Sequence, residues 1–131
     1  MPGYADDLTI GNEAGLFRRI SPCHFVSDEN SGGLRPSSAA FDDHPNGSPM
    51  SVVLADALAA TGRCPDDLLA RYAGFALAMT TAGLARECRQ GVAREPLEDE
   101  PAHGVVFGRK TKPVKRKLAT GACWVIPPSR T

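Results

Sequence analysis

Turn chemistry interrupts this chain so often that only short strands and short helices fit between the breaks. Ser21-Pro22, the polar run 27–33, the segment "DDHPNGSP", Gly62, Gly74, Pro96 and Gly121 each stop a regular element. Proline does so by removing a backbone donor, and glycine by opening conformations that other residues avoid. The pieces between are of mixed type. "LFRRI", Leu16 to Ile20, reads as a first strand, and Pro36 forces Arg35 into extended backbone ahead of "SSAAF", read as a strand from Ser37 to Phe41. Asn46-Gly47 suits a tight hairpin into "MSVVL", which passes into a helix over "ADALAA" that ends at Gly62. Pro65-Asp66-Asp67 opens a helix toward "LLARY", "FALAMT" reads as a buried strand, and "TTAGLAREC" as a threonine-capped helix. "GVAREPL" is an edge strand and "AHGVVFG" a further strand. A last helix runs from a Thr111 cap to Gly121, and Trp124 in "CWVIPP" pins the tail to the core.

Irregular alternation of this kind predicts an α+β fold with a short mixed or antiparallel sheet and several short helices. A chain of 131 residues suits a single compact domain, expected over 16–131 after a flexible acidic segment 1–15. The fifteen basic and fifteen acidic residues cancel, so no global field draws the molecule to nucleic acid or to an anionic membrane. Four scattered cysteines form no Cys-x-x-Cys pair, and no metal is expected. The opening "MPGYADDLTI" has no basic, apolar leader pattern and no apolar run is long enough to cross a bilayer, which predicts a cytoplasmic protein with reduced thiols and no membrane contact. "GGLRPSS" lacks the lysine of a Walker loop, and neither G-x-G-x-x-G nor G-x-S-x-G occurs.

Three groups of residues remain for chemistry. The run "RKTKPVKRK" places six cations in nine positions: Arg109, Lys110, Lys112, Lys115, Arg116 and Lys117. It forms either a solvated helix face or a contact for nucleic acid or an acidic partner protein, and the acidic turn 95–100 would cancel it if the two folded together. Any of His24, after the first strand, His44, in a turn, and His103 suits acid–base work, and His103 leads because it enters an apolar strand where burial tunes an imidazole. With a nearby lysine or arginine, His103 would also suit a metal-independent ribonuclease. Finally, Arg18 or Arg19, Arg35, Ser37 and Ser38 suit a nucleotide such as NAD, because guanidinium forks grip phosphates and hydroxyls hold a ribose or an amide. Alternatively, Arg35 clamps Asp28, Glu29 or Asp42 and the serines satisfy local backbone.

The order "LFRRI", "GLRPSSAAF", "SPMSVVLADAL" resembles the opening of RES-domain toxins and, more distantly, small ADP-ribosyltransferase-like folds. The resemblance covers about the first 60 residues. It implies a split α+β fold with NAD as substrate in the cleft, consumed by glycohydrolysis or ADP-ribosyl transfer in a toxin-like effector that an antitoxin or other partner protein would restrain. On that reading Arg18 or Arg19 and Arg35 hold the pyrophosphate, Ser37 or Ser38 the ribose, and Phe17, Phe41 or Tyr72 stacks on nicotinamide. The helix after "VVLADAL" lacks the glutamate those families use, which leaves Glu87 or His103 to assist bond cleavage.

Overall fold

In the computed structural model, which describes residues 3–30 and 32–128, the apolar "LFRRI" run lies in the middle of a six-stranded sheet. The strands are β1 (Gly15–Ile20), β2 (Phe25–Asp28), β3 (Gly33–Pro36), β4 (Met50–Leu54), β5 (Ala76–Thr81), β6 (Gly91–Arg94), β7 (His103–Phe107) and β8 (Cys123–Ile126). The helices are α1 (Ala55–Ala60), α2 (Ala82–Glu87) and α3 (Lys112–Gly121). The sheet runs β6-β7-β4-β1-β5-β8 with each neighbouring pair antiparallel, and β2 with β3 makes a separate two-stranded arm. This is an α+β fold, as the irregular alternation of elements predicts. Among the described residues no helix is long and apolar enough to cross a membrane.

Strand alternation gives the sheet two covered faces. Leu16, Ile20, Val52, Leu54, Ala78 and Val106 share one core with Phe41, with Ala82 and Ala85 of α2, and with Leu118 of α3. Phe17, Val53 and Leu77 form a smaller core on the other face, closed by Leu58 of α1 and by Leu68. Arg18 belongs to the first face and Arg19 to the second.

The pairing of β1 is lopsided. It matches β5 along its whole length, from Gly15↔Thr81 to Ile20↔Ala76, but meets β4 only at Leu16↔Leu54 and Phe17↔Val53. Beyond Phe17 the two central strands part, and Arg18 and Arg19 face an opening where ladder bonds would otherwise run.

Helix caps fall where local chemistry places them: Thr81 Oγ1 accepts from Leu84 N, Thr111 Oγ1 from Val114 N, and Gly62 at φ 75° ends α1. Several expectations are corrected. Residues 38–40 are a 3-10 turn rather than a strand, because Ser37 Oγ accepts from Ala39 N at 3.1 Å and bends the chain while Phe41, fully buried, anchors it. Asn46-Gly47 joins no strand pair. The hairpin lies earlier, where the run 27–33, read wholly as turn, supplies the ends of β2 and β3 and Asp28 O accepts from Gly32 N at 2.9 Å. Pro65–Leu69 is a 3-10 helix. Separately, the segment ahead of β1 covers the free edge of β6: Asp7 N donates to Val92 O, Val92 N donates to Asp6 Oδ1, and Ile10 is buried.

Candidate functional site

Where β1 and β4 part, a cavity of about 600 Å³ opens on the face of the smaller core. Phe17, Arg19, Ser51, Val53, Leu77 and His103 form its floor, and segments 63–72 and 97–100 contribute its walls. Strand alternation explains the floor. Arg19 lies two residues from Phe17, Ser51 two residues from Val53, and the register Val53↔His103 puts the imidazole on the same side.

Arg19 Nε donates to Leu68 O at 2.6 Å, and the guanidinium carbon stands 4.3 Å over the Tyr72 ring. Among the described residues its terminal NH₂ groups make no hydrogen bond and no ion pair within 4 Å, although its charge helps to lower the pKa of the Glu100 carboxyl across the cleft. A guanidinium fixed at one end and open at the other is a fork set for an anion.

His103 is held between two groups. Nδ1 lies 2.8 Å from Glu95 O, and Nε2 lies 3.1 Å from Ser51 Oγ. A carbonyl only accepts, so the neutral ring carries its proton on Nδ1 and Nε2 must accept from the Ser51 hydroxyl. The Glu95 carboxylate stands 3.6 Å from Nδ1 and takes a hydrogen bond from the Tyr4 phenol.

Arg63 forms a two-pronged pair with Glu100, whose second tie is Ala102 N. That hydrogen-bonded guanidinium holds the Glu100 carboxyl below the usual glutamate range. Arg71 lines the cavity with no ion pair among the described residues.

Arg18 reaches the same opening from the opposite face. Its Nε donates to Ala40 O at 3.0 Å and Nη1 to Ser51 O at 2.8 Å. Burial pulls the guanidinium below its ordinary pKa, and Asp42 and Asp43 pull it back. Arg18 thereby replaces the ladder bond that Ser51 lost when the strands separated.

The sequence-derived nucleotide set does not assemble. Arg35 and Ser38 line a different cavity, also of about 600 Å³, with Asn30, Arg116, Thr120 and Trp124. Arg35 is exposed and has no ion pair among the described residues, so neither Asp28, Glu29 nor Asp42 holds it. Ser37 is spent on its own turn. Trp124 Nε1 donates to Leu34 O at 2.9 Å and its ring meets Phe25 edge-on, so it ties the β2–β3 arm to β8. Glu87 is exposed at the end of α2, lines neither cavity, and is not brought to His103. Of the three aromatic candidates, Phe17 and Tyr72 line the cleft, whereas Phe41 is buried in the other core.

The basic run divides as well. Lys110 Nζ, with its side chain only 2% exposed, pairs with Asp43 at 2.9 Å, and Lys115 pairs with Asp42 at 3.1 Å. The Lys115 hydrogen bond holds the Asp42 carboxyl below its usual range. Two cations are therefore structural, and their partners are residues 42 and 43 rather than the acidic turn 95–100. Arg109, Lys112, Arg116 and Lys117 stay exposed without ion pairs among the described residues. Helix α3 packs on the larger core, across the sheet from His103, which separates that histidine from the basic run.

Sequence reasoning missed Ser51, Arg63 and Arg71 as members of the site. Ser51 did leave a signal, as the one polar residue inside "MSVVL". No family model, curated protein or solved structure matches this chain. The functional reading accordingly rests on the geometry of the cleft.

Proposed function

We propose that the cleft binds a phosphate-bearing nucleotide of the NAD class and breaks its nicotinamide–ribose bond, by glycohydrolysis or by ADP-ribosyl transfer. One observation carries this reading: Arg19, oriented by Leu68 O and the Tyr72 ring, keeps its outer donors open on the floor of a cavity that also holds a serine–histidine pair. About 600 Å³ lies within the usual range for small-molecule sites. Arg19 would take the pyrophosphate, Arg71 would add charge at the rim, and Tyr72 or Phe17 would support the nicotinamide. Asp99 lines the same cleft and would supply the ribosyl-stabilising carboxylate, since Glu100 is engaged by Arg63 and Ala102 N; Glu87 has no part in this scheme. Consumption of NAD in the expressing cell would have a toxin-like effect.

The test is nicotinamide release and NAD affinity of the purified chain. Arg19→Ala removes a charge-assisted contact of about 1.5–3 kcal/mol and should weaken NAD binding about ten- to a hundredfold, whereas Arg35→Ala should leave it unchanged. Absence of NAD binding and of nicotinamide release would refute the reading.

A second reading rests on a separate observation. Arg35 and Arg116 line one groove, and Lys112 stands one helical turn before Arg116, all three unpaired among the described residues. Such a surface suits the phosphate backbone of a single-stranded nucleic acid.

A further inference from the structure

We infer that Ser51 is a nucleophile and that the cleft attaches ADP-ribose to its own serine. This rests on the NAD reading above and adds an acceptor to it.

An activated serine needs a base within hydrogen-bond reach and a third group that orients the base. Ser51 Oγ stands 3.1 Å from His103 Nε2, and Glu95 O stands 2.8 Å from Nδ1, so the donor order runs from serine to imidazole to carbonyl. The arrangement is rigid. His103 is paired within β7, its side chain is only 12% exposed, and the Ser51 carbonyl is held by Arg18 at 2.8 Å. Ser51 itself is exposed, the outward-facing residue of an otherwise buried strand.

The strand register supplies the direction of attack. Extending Phe17↔Val53 by two residues puts Arg19 opposite Ser51 across the gap. A ligand whose phosphates rest on Arg19 therefore presents its adjoining ribose to the serine oxygen.

The reaction balances without a further reagent. Ser51 Oγ bonds to the anomeric carbon as the bond from that carbon to the nicotinamide nitrogen breaks. The electron pair of that bond leaves with nicotinamide, which departs neutral. The serine proton passes to His103 Nε2, and the Glu95 carboxylate beside Nδ1 faces the resulting imidazolium. The products are nicotinamide and a chain bearing one ADP-ribosyl group on Ser51.

The experiment incubates the purified full chain with NAD and reads released nicotinamide, intact mass and the modified peptide, with thermal melting of every variant. Wild type should gain one ADP-ribosyl group on the peptide containing Ser51. Ser51→Ala should gain none while melting like wild type, because its hydroxyl bonds only His103 among the described residues. His103→Gln should form the adduct at least about a hundredfold more slowly, the scale of a lost general base. Nicotinamide released without an adduct, an adduct on another residue, or wild-type release from Ser51→Ala would overturn the role of Ser51 and leave the NAD reading standing. If wild type released no nicotinamide, both would fall.

Discussion

The cleft and the groove have similar volumes and both hold arginines, but they treat their charges differently. In the cleft nearly every polar group is oriented by another: Arg19 by Leu68 O and Tyr72, Arg63 by Glu100, Ser51 by His103, and the Ser51 backbone by Arg18. In the groove Arg35 and Arg116 are exposed, and among the described residues no hydrogen bond or ion pair fixes their heads. Chemistry requires groups held in place before the ligand arrives, whereas phosphate-backbone binding needs only charge density. Similar residue types thus serve different purposes according to what surrounds them.

The largest expected effect tests the rigidity of the cleft. Arg18→Met leaves the part-buried Ala40 O without its donor, at about 1–3 kcal/mol, takes the donor from the exposed Ser51 O as well, and should lower the urea midpoint clearly. An unchanged midpoint would show that Arg18 does not hold the parted strands. A smaller effect concerns the cleft wall. Because the folded Glu100 carboxyl binds its proton less readily than the unfolded one, its pair with Arg63 stabilises fully above the ordinary glutamate pKa and loses that contribution as pH falls through the lowered value. Glu100→Gln should therefore flatten the acid limb of the stability curve and leave the slope near neutrality unchanged; equal acid limbs in the two proteins would refute this. The smallest effect on stability belongs to the groove. Arg116→Glu should change it by no more than about 0.5 kcal/mol while abolishing any salt-dependent binding of single-stranded RNA or DNA, checked by fluorescence anisotropy at two salt concentrations. Retained binding would remove the second reading and leave the cleft as the working surface.

Much of the fold was legible because its signals are local. The Thr81 and Thr111 caps, the stop at Gly62, the buried run of β5 and the apolar strand β7 are written in residues a few positions apart. The misreadings came from long-range competition. "SSAAF" has the composition of a strand, but Phe41 was worth more in the core and Ser37 bonded its own turn. "RKTKPVKRK" looked like a uniform patch, but Asp42 and Asp43 captured two of its cations. Nothing in the acidic opening segment reveals that Asp6 and Asp7 meet Val92, a contact made across more than 80 residues of chain.

The candidate site divides along the same line. Sequence alone determined the order and type of most elements, an arginine pair on the first strand, and a histidine entering an apolar one, since turn residues, caps and periodicity act over a few residues. Only the tertiary structure decided which arginine faces a cleft, that Arg35 faces another, and that Ser51 meets His103 across 52 residues of chain. The physical reason is register. The side on which each strand residue emerges is set by its pairing with distant strands, and β1 pairs with β4 for only two residues before the opening that makes the site.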